Sequence, residues 1–152
     1  MKIDIILMVF IFFTNLTFSL LLSWSDFLFR KIPNKIIGLV FFTNLFSACY
    51  WGFIYYSLPI MIIVLSILLV LWIYSVFGGG DVKLFCAYFV GIQPVLSLNF
   101  ILFVGLLGSI VVSIMWLCVD NRNGSLSESG VPYGIAISIS GLIFTTLSMS
   151  HS

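Results

Sequence analysis

The chain has 152 residues, of which 62% are hydrophobic and 17% aromatic, while 7% are charged and the net charge is +1. Soluble globular domains carry about a quarter charged residues, so a mean hydropathy of +1.27 makes this an integral membrane protein. With no basic run and no acidic tail, nucleic acid is excluded as a partner.

The first apolar run, residues 5–24, has the length that one helix needs to cross a hydrocarbon core of about 30 Å. It is longer than the apolar part of a signal peptide, about 7–15 residues, and no small-x-small site follows it. Inside it, Asn15 with Thr14 and Thr17 predicts hydrogen bonding to another helix. The run ends in the most charged stretch of the chain, from Ser25 through Asp26, Arg30 and Lys31 to Lys35. There Pro33 disfavours helix at Ile32, and Asn34 is placed to cap a helix beginning at Lys35.

A second span is expected over 36–53, interrupted by Asn44, and a third from Pro59 to Phe77 after the aromatic linker around Tyr55 and Tyr56. Gly78, Gly79 and Gly80 then interrupt the apolar sequence. Each glycine costs a helix about 1 kcal/mol relative to alanine, which predicts a break there. The stretch 82–92 before Gln93 and Pro94 would make only about 16 Å of helix, a short fourth span. A fifth over 95–119, a polar loop from Asp120 to Gly130 and a sixth over 131–149 complete the chain. Cys49, Cys86 and Cys118, lacking any CxxC spacing, read as small buried hydrophobes.

The expectation is therefore an all-α polytopic membrane protein of about six transmembrane helices, a single membrane-embedded domain over residues 1–152. Six spans put Arg30, Lys31, Lys35, Lys83 and Arg122 on one side and Lys2 on the other, and the positive-inside rule makes the first side cytoplasmic. Asp26 and Asp81, 55 positions apart, both fall at cytoplasmic ends of spans. A carboxylate in such surroundings is costly and is a functional candidate. Two that meet cannot both ionise cheaply and share a proton, so that one can activate water while the other polarises a carbonyl. Other hydrolytic chemistries lack their parts: the single histidine is His151, and neither GxSxG nor HExxH is present. The competing reading is structural, with Asp26 pairing Arg30 one turn on and Asp81 capping the helix that starts at Val82.

Gly78 with Gly80 and Asp81 fits the GxGD signature of intramembrane aspartic peptidases, and Gly79-Gly80-Asp81-Val82-Lys83-Leu84 resembles its form in type IV prepilin peptidases. Asp26 followed by Arg30 and Ile32-Pro33-Asn34 resembles that family's first-aspartate motif, and Val131-Pro132-Tyr133-Gly134-Ile135-Ala136 its Pro-Tyr-Gly motif. The three stand in the family's order across residues 26–136.

The resemblance implies an aspartic endopeptidase of the cell (inner) membrane that removes the leader of prepilin or pseudopilin precursors at the cytoplasmic face, with Asp26 and Asp81 as the catalytic pair. It implies that Gly78 and Gly80 let the backbone turn so that Asp81 faces the substrate, that Pro132, Tyr133 and Gly134 shape the substrate groove, and that no cofactor is needed. Lys83, next but one to Asp81, either favours its charged form or reaches to lipid headgroups. For Tyr133 an interfacial anchor is the competing role. No paired CxxC region precedes Asp26, so methyltransferase activity is not expected, and the likeness is to the compact enzymes serving Flp-type (tight-adherence) pilins or to preflagellin peptidases. A precursor's transmembrane helix would pack laterally on the spans. Gly38, Gly105 and Gly108 would admit that approach or serve internal packing. The alternative from another class is a small transporter or channel subunit using Asp26 and Asp81 as an ion or proton site.

Overall fold

The computed structural model describes residues 2–75, 77–119 and 132–150. The loop from Asp120 to Gly130 with Arg122, and also Val131, His151 and the side chains of Lys2 and Cys118, lie outside that description. The described residues form six helices and no strand: α1 (Lys2–Phe29), α2 (Asn34–Tyr50), α3 (Ile54–Ile73), α4 (Gly79–Phe89), α5 (Pro94–Val119) and α6 (Tyr133–Ser150). The protein is an all-α, multi-pass membrane protein. Four helices, α1, α3, α5 and α6, are long and apolar enough to cross a bilayer, whereas α2 has 17 residues and α4 has 11. Phe10, Phe13, Ile62, Leu102, Leu106 and Trp116 are among many large apolar side chains left exposed on the outside of the bundle. Such a surface suits lipid and not water.

The short α4 is the centre of the bundle. A helix that is apolar all round must be surrounded, and every residue from Leu84 to Val90 is buried among α2, α3 and α6. Phe85 meets Phe100 of α5 in a tilted pair at 4.9 Å between ring centroids, and Phe100 meets Phe144 of α6 edge-on at 5.9 Å, which ties α4, α5 and α6 through aromatic contacts. Gly141 of α6 lies directly against the Tyr88 ring, leaving no room there for a side chain. α6 otherwise turns small residues inward, including Ser138, Ser140 and Thr145, which lets helices approach closely.

A polar ladder runs through this core. Asn15 Nδ2 of α1 donates to Asn44 Oδ1 of α2 at 3.1 Å, and Asn44 Nδ2 donates to the Ala87 carbonyl of α4 at 3.1 Å. The interhelical role expected for Asn15 is thus found. Thr14 and Thr17 instead bond back to carbonyls of their own helix, Ile11 and Thr14, because on an isolated face that carbonyl is the acceptor within reach.

Several boundaries differ from expectation. The third helix starts at Ile54 and encloses Pro59, the proline forgoing one ladder bond near the helix start. It ends at Ile73, before a turn in which Ser75 adopts φ 58°, so Phe77 lies beyond it. α4 begins at Gly79, and only Gly78 is non-helical, so the chain breaks just ahead of the glycines. Asn34 is the first residue of α2 and makes no cap bond, Pro33 occupying the cap position. Cys86 is buried as expected, whereas Cys49 is exposed.

Candidate functional site

Five helix ends meet at one end of the bundle around a cavity of about 770 Å³, within the range of ligand sites. It is lined by Asp26 and Arg30 from the end of α1, Lys31, Ile32 and Asn34 from the turn into α2, and Trp72, Ser75 and Phe77 from the end of α3. Gly78, Gly79, Gly80 and Asp81 from the start of α4 and Tyr133 from the start of α6 close it. Asp26 and Asp81, far apart in the chain, therefore face the same space. They are near enough for the charge on Asp26 to act on Asp81.

Each carboxylate is seated by local backbone. Asp81 is the third residue of α4 and accepts from the amide of Gly78 at its N-cap, the acidic half of a capping box. Asp26 is 5% exposed and is met by the amides of Gly134 and Ile135 in the first turn of α6, where unpaired N–H groups and the helix dipole favour an anion. Its Oδ2 has no hydrogen-bond partner. Asp81 thus does not cap a helix at Val82 as read; it bonds the Gly78 amide from inside the first turn of α4, and the same carboxylate faces the cavity.

The glycines serve this seating by what they leave out. A side chain on Gly78 would come within 2.7 Å of Asp81 Oδ2, and one on Gly134 within 2.7 Å of Asp26 Oδ2. Gly78 has φ −70° and ψ 139°, which any residue adopts, so space and not backbone freedom demands glycine there. A side chain on Gly80 would find ordinary contact with Ile32 at 3.5 Å, and nothing steric requires glycine at that position. Ile32 also lies 3.0 Å from the same point on Gly134. It wedges between the starts of α4 and α6, the ends that carry the two seats.

Among the residues marked in the sequence, Asp26, Gly78, Gly80, Asp81 and Tyr133 line the cavity together. Gly134 sits behind Asp26, and Pro132 is buried just ahead of α6. The Tyr133 ring faces inward, packed on Phe77 at 5.4 Å and over Gly108. Gly108 is accordingly an internal packing residue. Lys83 is turned away: its Nζ lies 3.5 Å from Asn34 Oδ1, and it borders a different groove. The start of a helix separates the faces of residues two apart, which is why Asp81 and Lys83 diverge.

Sequence reasoning passed over Trp72 and Ser75, and read Arg30 only as a partner of Asp26 and a residue of its motif, without its backbone conformation. Arg30 and Ser75 are the two non-glycine residues with positive φ among those described, and both line the cavity. That conformation costs about 1–2 kcal/mol, and at Arg30 it ends α1 just after Asp26, whose carbonyl accepts the Arg30 amide at 3.0 Å. No sequence signal announces it.

Two carboxylates on one cavity can divide the roles of proton acceptor and donor. Among the described residues no three His, Cys, Asp or Glu side chains are grouped as metal ligands. A family model described as the type IV leader peptidase family matches residues 6–114. That stretch contains both aspartates and stops short of the Tyr133 turn. No curated protein and no solved structure matches the chain.

Proposed function

Because this chain belongs to the type IV leader peptidase family, and is a protease of prepilin-type leaders in that general sense, we propose that it is an aspartic endopeptidase in which Asp26 and Asp81 hold the nucleophilic water between them. The observation that carries this reading is the shared cavity: two acids remote in sequence, on different helices, face one space. In the reaction, the ionised carboxylate takes a proton from water as the water attacks the scissile carbonyl, and the protonated partner gives its proton to the developing oxyanion. The first carboxyl then passes the proton it took from water to the leaving amine as the C–N bond breaks, and the partner recovers its own from the diol hydroxyl. Atoms balance with no covalent intermediate. Gly78 and Gly134 seat the acids, and Tyr133, which follows the buried Pro132, forms part of the wall of the substrate site.

The helix end carrying the dyad also carries Arg30 and Lys31, which supports a cytoplasmic site in the inner membrane by the positive-inside rule. The substrate is then a prepilin-like precursor cut at that face, by a single membrane-embedded domain. The test is cleavage of a synthetic prepilin peptide by the reconstituted protein. Cleavage that vanishes in Asp26→Ala and in Asp81→Ala, with both variants still inserted, supports the reading. Retained cleavage in either variant removes that residue from the mechanism. Aspartate-dependent ion flux without cleavage would overturn the protease reading in favour of transport.

A further inference from the structure

A second concavity, about 450 Å³, runs beside the dyad cavity between α2, α3 and α4. Its walls are Ile37 and Phe41 of α2 and Met61 and Leu65 of α3, its floor is Cys86 and Ala87 of α4, and Lys83 and Asn34 stand at its mouth. On α2 the lining residues recur at 34, 37, 38 and 41 and on α4 at 83, 86 and 87, one stripe on each helix. The stripe on α2 covers about 10 Å, two turns.

Three observations distinguish this groove from an accidental gap. Asn34 lines both it and the dyad cavity, so the two adjoin at the start of α2. Gly38 opens onto it with no atom within 4 Å of where a side chain would start, unlike Gly91 or Gly134, whose side-chain positions are filled by neighbours. The Lys83 stem borders it while its amine turns to Asn34 at 3.5 Å, leaving the interior apolar and the rim polar.

We infer that this groove receives the apolar helical segment of the substrate, a membrane-embedded polypeptide whose scissile bond lies in the adjoining cavity. The inference rests on the leader-peptidase reading above and adds where the substrate docks. A chain held at the dyad and continuing into the bilayer must bury its backbone bonds in a helix. The floor of Cys86, Ala87 and Gly38 permits close approach of such a helix, and Met61 adapts to side chains of different shape. Gly38, Phe41, Met61 and Leu65 would then govern which precursors are cut efficiently, without touching the reacting atoms.

The experiment compares two synthetic substrates with reconstituted protein: a leader junction followed by an apolar stretch of about 20 residues, and the same junction without it. Wild type should prefer the long substrate. Gly38→Leu, which fills open space and favours helix, should lose at least about tenfold of that preference while cleaving the short substrate as wild type does. Gly105→Leu, at another glycine that opens on empty space but on α5, should keep it. A photo-crosslinker in place of Gly38 should capture the apolar stretch of the long substrate, an arm that decides the matter even where Gly38→Leu misfolds. An unchanged preference in folded Gly38→Leu, or capture of lipid alone, overturns the groove's role and leaves the protease reading standing. Failure of wild type to cut either substrate overturns both.

Discussion

In the body of α4, Leu84, Tyr88, Phe89 and Val90 are fully covered, and Asn44 bonds its Ala87 carbonyl at 3.1 Å. One turn earlier, Asp81 faces a cavity of about 770 Å³, held by a single backbone amide at Gly78. Both regions exclude side chains by placing glycine at close contacts: Gly91 against Asn44 and Gly141 against Tyr88 in the body, Gly78 against Asp81 and Gly134 against Asp26 at the start. The same device keeps neighbouring helices together in one place and keeps two acids in register in the other. The body holds the fold, and the first turn spends order on a carboxylate that packing alone would reject.

The comparison breaks most sharply at the acids. Asp26→Asn and Asp81→Asn keep the shape and remove the proton transfer, and each should lower cleavage by at least about 10²–10⁴-fold with the thermal transition of the purified protein no lower than wild type. A second effect should be smaller and more telling. Gly134→Ala and Gly78→Ala retain both carboxylates but put a carbon within 2.7 Å of one of their oxygens, and the displaced acid should cost between about ten- and a hundredfold in kcat. Gly80→Ala, with its nearest neighbour at 3.5 Å, should stay within about threefold of wild type, a difference that steady-state kinetics on one substrate resolves.

Changes in the body should do the reverse. Asn44→Leu strands the Asn15 amide and the Ala87 carbonyl in an apolar interior and should destabilise the protein by about 1–3 kcal/mol, read as a lower unfolding midpoint in detergent. Activity per folded molecule should hold, because Asn44 does not line the dyad cavity.

The helices were legible because their apolar runs are long, and the partition of the chain into six came through with shifts of a few residues. The shifts share a cause. Turn chemistry was read from glycine and proline, yet α1 ends on Arg30 and α3 on a turn with Ser75, residues that adopt positive φ only because the surrounding helix ends impose it. The pairing of Asp26 with Asp81 could be argued from depth in the membrane. The seat of each acid could not, since it depends on which glycine sits behind which oxygen across different helices. Of the two roles read for Lys83, the one beside Asp81 finds no contact, since its amine turns to Asn34, and proximity in sequence says nothing of direction at a helix start.

Convergence of positions 26 and 81 is the claim on which the catalytic reading stands, and thiol cross-linking in native membranes measures it directly. In a chain with Cys49, Cys86 and Cys118 replaced by alanine, D26C with D81C should be joined by a short bifunctional thiol reagent. D4C with D81C should not, since Asp4 lies about 33 Å along α1 from Asp26. Absence of the 26–81 link, with each thiol still reacting singly with a monofunctional reagent, would contradict the account.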